Sequence, residues 1–473
     1  MKRSFDYRVR SLMLPGLKRY ILVILVSICA IVFGVLWMLD KHPVLRIQKF
    51  LHEVVSDTAA VLPSKVNGII AISVGSICLL GAMVRITQTL LGAYLPEDRE
   101  AIPDVLYRRR YLERGPKVVV VGGGTGLSNL LNGLKRYSNN LTAIVTVGDD
   151  GGSSGRLRQE LGVLPPGDIR NCITALADQD KIVTELFRYR FSSGEGLEGH
   201  SFGNLFITAL CAVTGGDIIQ ATRTASRVLN SCGQVLPSTL SSLTLTAEYT
   251  DGSKVVGESS IVEMGKRIRA ITCEPAQPEA VAEAVEAIME AELIVLGPGS
   301  LYTSIIPNLL VPGIVSAIRE AQARKIYICN VMTQPGETTG YSVGDHVEAL
   351  LAHAGPVRTP AGRLLHSVLV NESEGGRENE VRYDPEKVKE LGLTVLRRPL
   401  TSATAVSHHD STRLARAIIM WLFRTGRTRT TRVRSGTAPK GKVKQVDTKE
   451  SGLLKSEGGT NSKEVASSTN ATL

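Results

Sequence analysis

The sequence contains no C-x-x-C pair, although it has seven cysteines in 473 residues. Cysteines that are odd in number and dispersed argue against a disulfide framework and against a zinc cluster, so we expect free thiols in a reducing compartment. No RNP box or paired Cys/His ligand set accompanies the formal net charge of +10. We therefore do not expect nucleic acid as a partner. The basic ends of the chain flank apolar segments and indicate anionic lipid instead.

Several catalytic signatures are also missing. The chain has no G-x-x-x-x-G-K-[ST] P-loop, no complete G-x-G-x-x-G fingerprint and no convincing Tyr-x-x-x-Lys motif for hydride transfer. No nucleophile, base and orienting residue stand at a recognisable spacing. These absences favour binding over catalysis, but they do not exclude group transfer that relies on positioning and on the charge of a metal ion.

Two uncharged apolar runs, Ile21–Leu39 and Val66–Val84, come early in the chain. At about 1.5 Å per helical residue, each run is close to the roughly 30 Å hydrocarbon thickness of a bilayer. Basic residues precede the first apolar run and follow the second, whereas the loop between the two runs has mixed charge. The positive-inside rule then places both ends in the cytoplasm. We predict a two-pass anchor, within residues 1–95, in a bacterial inner membrane, with the main domain cytoplasmic.

The remainder divides by composition into a charged linker (96–116), an α/β domain (117–424) and a basic tail (425–473) rich in Ser, Thr, Gly and Lys. The tail has too few apolar residues for a core, so we predict that it is disordered. The domain alternates apolar strands with amphipathic helices, which is typical of a Rossmann-like, doubly wound and mostly parallel α/β sheet.

The expected strands are Lys117–Val121, Thr142–Val147, Leu293–Leu296, Lys325–Asn330 and Ser367–Asn371, and the expected helices are Leu127–Tyr137, Glu279–Ala291, Gly313–Ala323 and Val343–Ala352. One stretch breaks this rhythm, because Leu243–Tyr249 alternates apolar and polar residues before a turn at Asp251-Gly252. That pattern predicts a small β-hairpin insertion.

The first strand runs directly into Gly122, Gly123, Gly124, Thr125 and Gly126 and then into a helix. Glycines let the backbone approach an anion closely, and a helix N-terminus offers free N–H groups and a partial positive charge. We interpret this loop as a phosphate cradle, although a purely structural tight turn is the alternative.

The second strand leads to Asp149 and Asp150, and Ser153, Ser154 and Arg156 follow. Adjacent carboxylates at a strand end suit Mg²⁺ or ribose hydroxyls, and an arginine suits a phosphate. A solvated turn is the alternative, because Asp, Gly and Ser are also turn residues.

Further polar residues stand in later loops. They are Asp168, Arg170 and Asn171 after a Pro-Pro-Gly turn, His200 and Asn204 before an apolar helix, Gly297, Gly299, Ser300 and Thr303 after the third strand, and Asn330 at the end of the fourth. Asp168 could equally cap a helix. A lone histidine is more often structural than catalytic. His200 is nevertheless a candidate catalytic residue, together with Asp149 and Asp150. Because the carboxyl ends of parallel strands share one edge, we expect these loops to form one ligand-binding rim.

Seven blocks together carry a resemblance to a known family: GGGTGLSNLLNGLK, LTAIVTVGDDGGSSGRLR, PPGDIRNC, GHSFGNL, VLPST, LGPGSLYTSIIPNLLV and IYICNVMTQPGET. They resemble the YvcK-type gluconeogenesis factors, within the wider family of CofD-like phospholactate transferases. The resemblance extends from Lys117 to about Gly355, whereas Glu372–Asp410 has only a loose similarity to the family. It covers neither the apolar runs nor the tail.

The resemblance implies a Rossmann-like fold and a role in cell shape and envelope synthesis during growth on gluconeogenic carbon. It implies a UDP-sugar ligand such as UDP-N-acetylglucosamine for some members. CofD relatives instead transfer a phospholactyl group from a guanosine diphosphate donor to a deazaflavin with a divalent metal. The loop Gly122–Gly126 and the pair Asp149-Asp150 are the positions that look shared with that enzyme.

Three hypotheses follow. The first is a membrane-anchored regulatory factor that binds a UDP-sugar, and the second is a CofD-like transferase in which Asp149 and Asp150 hold Mg²⁺. The third is an NADP-dependent oxidoreductase in which Ser153, Ser154 and Arg156 bind the 2′-phosphate. Expected partners are a UDP-sugar or another nucleoside diphosphate, the inner membrane, and envelope-synthesis proteins or a Ser/Thr kinase. Homo-oligomer formation and catalysis stay open.

Overall fold

A computed structural model describes residues 17–38, 64–92, 111–177, 181–356, 362–373, 377–403 and 405–433. Its strands are β1 (Val118–Gly122), β2 (Leu141–Val145), β3 (Gln234–Pro237), β4 (Thr244–Tyr249), β5 (Lys254–Val256), β6 (Ile268–Glu274), β7 (Leu293–Leu296), β8 (Arg324–Ile328), β9 (Ser367–Asn371) and β10 (Thr394–Arg398). Its helices are α1 (Leu17–Met38), α2 (Ser64–Gly92), α3 (Gly124–Leu134), α4 (Gly152–Leu161), α5 (Gly167–Leu176), α6 (Lys181–Arg188), α7 (Phe202–Val213), α8 (Ile218–Val228), α9 (Glu258–Glu263), α10 (Ala282–Glu290), α11 (Ile306–Leu309), α12 (Pro312–Glu320), α13 (Val343–His353), α14 (Pro385–Glu390) and α15 (Ser411–Val433). A π-helical turn, Leu301–Ile305, precedes α11.

Seven parallel strands form the main sheet in the order β10-β9-β8-β7-β1-β2-β3. The central strands β1 and β7 are apolar and buried along their whole length, as expected for a sheet that helices cover on both faces. The order runs outward from β1 to β3 on one side and from β7 to β10 on the other. The predicted doubly wound Rossmann-like sheet is confirmed. The reversal between β1 and β7 is the topological switch point at which such sheets bind ligands.

The five predicted strands and the four predicted helices are all present, with ends shifted by up to three residues. Two strands of the main sheet, β3 and β10, were not predicted, and they are its two edge strands. β3 has only four residues and ends in Pro237, which lacks a backbone N–H. β10 is mostly exposed, so it lacks the continuous apolar run that marks the buried strands.

The predicted insertion is a three-stranded antiparallel sheet in the order β5-β4-β6. β4 alternates buried and half-buried residues, which is the pattern that indicated a hairpin. The third strand, β6, was not predicted, although Ile268, Ile271 and Cys273 are buried. Tyr249, at the end of β4, is fully buried, and its hydroxyl donates to the Ile261 carbonyl of α9 at 3.0 Å. The insertion therefore packs against α9, and its buried residues join the same hydrophobic core as β1 and β7.

The two early apolar runs form the helices α1 and α2. Gly68–Thr87 of α2 has a mean hydropathy of 2.2 and is long and apolar enough to cross a membrane, whereas the apolar part of α1, Leu22–Val32, is shorter. A Cβ on Gly34 or on Gly75 would lie 2.8 Å from an isoleucine of the other helix. These glycines therefore let the two helices pack closely, as small residues do in membrane helix pairs.

Some predicted segments fall outside the described residues. They are the loop between the two runs, most of the linker and the tail from residue 434. The final helix α15 continues to Val433, beyond the predicted domain end at Arg424, so the first residues of the predicted tail are helical. Residues up to Arg416 form one compact unit, which contains both sheets, and residues from Ala417 form a second.

The start of α15 packs against α3 at a glycine. A Cβ on Gly133 would lie 2.1 Å from the carbonyl oxygen of Ser411 and 2.9 Å from the side chain of Ala415. We expect Gly133→Ala to lower the free energy of unfolding by about 1–3 kcal/mol, because the extra methyl group would push the two backbones apart. Thermal unfolding of the full chain in detergent measures this. Asn132→Ala, on a half-exposed position of the same helix, should change stability little. Equal stability of the two variants would contradict the close contact.

Candidate functional site

The loops that follow β1 and β7 touch each other at the switch point. The Gly297 N–H donates to the Val121 carbonyl at 2.8 Å, and a Cβ on Gly126 would lie 2.8 Å from the Pro298 carbonyl oxygen. α3 begins at Gly124, whose φ of 68° lies in the left-handed region that favours glycine. Thr125 in its first turn is exposed. The N-terminus of α3 therefore opens to solvent where the two loops meet, as in anion-binding sites of this type.

One side chain from α5 reaches into the β1 loop. Asp168 Oδ1 accepts the N–H of Gly124 at 2.8 Å, and a Cβ on Gly123 would lie 2.3 Å from Asp168 Oδ2. Burial raises the pKa of Asp168 to about 6, with a contribution from the charge of Asp149, although the Gly124 hydrogen bond lowers it. Asp168 does not cap its own helix and instead accepts the first N–H of α3, so its place in a ligand site stays a prediction.

The adjacent carboxylates Asp149 and Asp150 have different partners. Asp149 Oδ1 accepts the N–H of Gly151 at 3.0 Å. Asp150 accepts the N–H groups of Glu258 and Ser259 at 2.8 and 2.9 Å and the Ser259 hydroxyl at 2.8 Å, and so caps the start of α9. Both oxygens of Asp150 are thus used to attach the antiparallel insertion to the end of β2.

The insertion adds a carboxyl group that sequence reasoning missed. Burial and the charges of Asp149 and Asp150, with smaller effects of Glu337 and Asp168, raise the pKa of Glu258 to about 7. The carboxylates at this rim therefore repel one another, and a bound cation or a shared proton would relieve the repulsion. No short sequence motif marks Glu258, because it comes from a loop more than a hundred residues after Asp150.

The fit of a divalent ion depends on which oxygens are free. In the described ranges, no three His, Cys, Asp or Glu side chains are arranged as metal ligands. Asp149 and Asp168 each keep one oxygen that accepts no hydrogen bond from the described chain. Mg²⁺ is commonly held by one or two carboxylates together with substrate phosphates. These two side chains fit Mg²⁺ on that condition, and Asp150, which was predicted as a ligand, is occupied by α9.

A second group of predicted residues forms a buried network between α4 and α7. The Ser153 hydroxyl lies 3.0 Å from His200 Nδ1 and accepts from Asn204 Nδ2 at 3.1 Å. Ser153 and His200 are only 4% and 3% exposed. Burial, with the positive charge of Arg156, lowers the pKa of His200, so the ring is neutral at neutral pH. The Ser153–His200 distance is the one expected between a nucleophile and its base. Because both side chains are buried, we interpret their hydrogen bond as structural.

Three predicted polar residues point to neighbours rather than to open space. Arg170 donates to the Ser201 hydroxyl at 2.8 Å and to Asn171 Oδ1 at 2.7 Å. Arg156 donates to the Glu198 carbonyl at 2.6 Å. These contacts fix the loop before α7 against α4 and α5, so the residues shape the wall of the rim.

The loops after β7 and β8 are joined by side chains. Asn330 donates to the Gly299 carbonyl at 2.9 Å, and Gln334 donates to the Ser300 hydroxyl at the same distance. Thr303 donates to Glu337, which is 4% exposed. Burial raises the pKa of Glu337, although its hydrogen bonds to Tyr302 and Thr303 oppose the shift. The predicted residues Gly299, Ser300 and Asn330 therefore meet at this rim, whereas Thr303 lies beneath it.

The C-terminal segment that resembled the family least also reaches this region. Asn129 of α3 donates to the His409 carbonyl, and the Leu400 N–H donates to Asn371 at the end of β9 at 2.9 Å. Burial lowers the pKa of His409 to about 4, although a hydrogen bond with the Cys329 backbone opposes this. Neither His409 nor Asn129 was predicted, because they come from elements nearly three hundred residues apart.

The model of the 2-phospho-L-lactate transferase CofD family matches residues 118–401. The chain belongs to the CofD family. The match continues well beyond Gly355, where the resemblance was expected to end, so the segment after it is part of the family domain. Leu400, whose N–H donates to Asn371 at the end of β9, lies within the matched range, whereas His409 lies beyond it.

Among its relatives, the gluconeogenesis factor of Bacillus subtilis is 47% identical over 315 residues, which cover 64% of this chain and 97% of that protein. A Nostoc protein that provisionally carries the same name is 46% identical over 421 residues, which cover 86% of this chain and 91% of that one. A crystal structure of a Bacillus halodurans protein, 44% identical, superposes with a TM-score of 0.61 and covers 65% of this chain and all of its own. Within the CofD family, the chain groups with the gluconeogenesis factors. The Nostoc alignment is longer than the family domain, so flanking residues also have counterparts there.

Glu258 allows a test of the crowded carboxylates. A carboxyl group whose pKa is higher in the folded than in the unfolded chain destabilises the fold when it ionises, so this penalty grows from about pH 4.5 to about pH 7. We expect Glu258→Gln to raise the free energy of unfolding at pH 8 by about 1–2 kcal/mol, since water screens part of the repulsion at a half-buried group. At pH 4 the variant and the parent should be alike. Urea unfolding at both pH values measures the difference.

The matched control is Glu263→Gln, at the exposed far end of the same helix. It should leave stability within about 0.5 kcal/mol at both pH values. A Glu258→Gln variant that is less stable than the parent at pH 8 would show that the Glu258 charge is favourable in the fold.

Proposed function

We propose that this protein is a regulatory factor that binds a nucleotide sugar, of the UDP-N-acetylglucosamine type, at the switch point between β1 and β7. The contact between the glycine loops carries the proposal. A diphosphate needs main-chain N–H groups that it can approach without side chains, and the N-terminus of α3 opens at that point. The placement is the one at which open α/β sheets bind nucleotides.

The segment around His409 supports a ligand longer than a diphosphate. It lies against α3 and the ends of β8 and β9, beside the phosphate cradle. A nucleotide sugar extends in two directions from its diphosphate, so it needs walls on both sides. The loops after β2 supply one wall, and the segment from Leu400 to His409 supplies the other.

The buried Ser153–His200 pair favours binding over turnover. A nucleophile must reach its substrate, and these side chains are enclosed between α4 and α7. The names of the relatives point the same way, because they describe a factor needed for gluconeogenesis rather than a reaction. We include in this proposal the role in cell shape and envelope synthesis that the resemblance to the YvcK-type factors implies.

The second candidate is a CofD-like transfer from a nucleoside diphosphate donor. Burial and, to a smaller extent, repulsion by neighbouring carboxylates raise the pKa of Asp168 and of Glu258. The repulsion favours this candidate, since a cation would relieve it. The free oxygens of Asp149 and Asp168 would hold Mg²⁺ together with the diphosphate, and the ion would supply charge for the leaving group. The chain itself would orient the donor through the N–H groups at the start of α3.

Calorimetric titration of the full chain in detergent distinguishes the two candidates. We expect UDP-N-acetylglucosamine to bind with or without Mg²⁺ and to be recovered unchanged. Binding of GDP alone, and only with Mg²⁺, would instead favour the transferase. In that case Asp168→Asn, which removes a carboxylate that would hold Mg²⁺, should abolish the Mg²⁺-dependent binding of GDP.

Exposed Thr125 gives a matched pair of variants. Thr125→Glu should weaken nucleotide-sugar binding at least tenfold, because it adds a negative charge where the diphosphate would lie, and Thr125→Gln should weaken it no more than about threefold. Both should melt like the parent, since the side chain is exposed. Equal affinity of the Glu and Gln variants would place the ligand elsewhere.

We also propose that α1 and α2 anchor the protein in the inner membrane with the domain in the cytoplasm. The support is the apolar stretch Gly68–Thr87, the close packing of the two helices and the distribution of bases around them. A tether would keep the domain beside the enzymes that use nucleotide sugars at the membrane. Envelope-synthesis proteins and a Ser/Thr kinase acting on the tail are the partners we propose to examine.

Reporter fusions test the orientation. Alkaline phosphatase is active only outside the cytoplasm, so we expect activity when it is fused after His52 in the outer loop and none when it is fused after Thr425. A fluorescent protein that folds only in the cytoplasm should give the reverse result. Phosphatase activity after Thr425 would contradict the proposed orientation.

A further inference from the structure

A cavity of about 320 Å³ lies beside the outer strand of the main sheet, away from the switch point. It is enclosed by the second half of α8, the turn that follows it and β3. β3 is the last strand on its side, two strands from β1. The volume is at the small end of the range of ligand pockets, roughly 300–1,000 Å³, and suits a molecule smaller than a nucleotide sugar.

The lining of this cavity is cationic. Arg223 and Arg227 stand four residues apart on α8, so they project from the same face of the helix. Arg223 has a long contact of 3.4 Å with Glu283, and both side chains are about 40% exposed, so this pair is weak. The Arg227 guanidinium has no ion pair or hydrogen bond within the described part of the chain. Two guanidinium charges exceed the partial negative charge, about half a unit, of a helix C-terminus.

A buried hydroxyl group without a partner also lines the cavity. Thr222 is 1% exposed, and its Oγ1 has no hydrogen-bond partner within the described chain. The oxygen itself has almost no accessible surface, so a ligand would meet the accessible polar groups beside it. Ser226, Asn230 and Gln234 supply further polar atoms around it. The combination offers donors for charged oxygens and for hydroxyl groups.

A peptide strand is a poor occupant of this edge. β3 has four residues, and its last residue, Pro237, has no N–H to continue a hydrogen-bonded ladder. A nucleic-acid backbone would need a row of Lys and Arg side chains to contact its phosphates, whereas the cavity presents two arginines beside Glu283. A compact molecule with one doubly charged group and several hydroxyl groups fits the lining better.

We propose that this cavity is a second ligand site, separate from the switch-point site, for a small phosphorylated sugar or polyol. The phosphate contacts Arg223 and Arg227, since guanidinium groups bind phosphate oxygens with two hydrogen bonds each. Hydroxyl groups of the ligand pair with Ser226 and Gln234, which line the cavity beside the arginines. The site allows a metabolite other than the nucleotide sugar to control the factor.

The test is calorimetric titration of the full chain in detergent with glycerol 3-phosphate and glucose 6-phosphate. Inorganic phosphate, glycerol and glucose serve as comparison ligands. We expect at least one phosphorylated compound to bind at least tenfold more tightly than inorganic phosphate, and glycerol and glucose not to bind. Failure of both phosphorylated compounds to bind would overturn the proposal, as would binding no tighter than that of inorganic phosphate.

Variants locate the binding. Arg227→Gln should weaken it at least tenfold, and Arg114→Gln, at an exposed arginine outside the cavity, should leave it unchanged. Ser226→Ala removes a half-buried hydroxyl group that lines the cavity, so the fold should keep its stability while binding weakens at least threefold. Equal affinity of Arg227→Gln and the parent would overturn the site.

Thr125→Glu separates the two sites. It should leave the binding of the phosphorylated compound unchanged although it weakens nucleotide-sugar binding. Loss of the small ligand in Thr125→Glu would show that the compound binds at the switch point, and it would overturn the second site. Binding at the cavity beside β3 can therefore be tested whatever ligand the switch point binds.

Discussion

The close approach of two backbone loops is the constraint on which the site depends. Gly126 lies against the Pro298 carbonyl, and Gly297 bonds to the last part of β1, so neither position has room for a side chain. Strand order imposes this approach, because β1 and β7 are neighbours in the sheet and their loops leave it in opposite directions. Thr125, in the first turn of α3, is exposed there, whereas the Gly124 N–H is paired with Asp168. Every proposed contact with a diphosphate relies on that geometry.

Crowded carboxylates surround this opening. Asp149 follows β2, whereas Asp168 lies in α5 and Glu258 begins α9. Burial and the charges of neighbouring carboxylates raise the pKa of Asp168 and of Glu258. Asp150 accepts three hydrogen bonds from the start of α9, and its charge is one of those that raise the pKa of Glu258. A rim of this kind binds an anion well only where positive charge or N–H groups offset the carboxylates. The protein therefore places the main-chain donors of α3 beside them.

Sequence patterns predicted the buried centre of the fold well, and the outer strands poorly. β1, β7 and β9 are continuous apolar runs, whereas β3 is short and β10 is exposed, so periodicity carries little information there. Within the candidate site, glycine and aspartate clusters marked loops that the fold brings close together. Sequence could not show that Asp150 holds α9 or that Glu258 joins Asp149. Those facts depend on how distant loops pack, and no local motif records it.

The separation in sequence between β1 and β7 has a consequence for synthesis of the chain. Lys117 and Glu292, which meet beside these strands, are 175 residues apart. At roughly 5–20 residues per second, a ribosome needs about 9–35 s to make the intervening segment. Throughout that time β1 has an unpaired edge, and the sheet cannot close around it. Helices α1 and α2 leave the ribosome before β1, so in the proposed anchored form the nascent chain meets the bilayer before its central strand is paired.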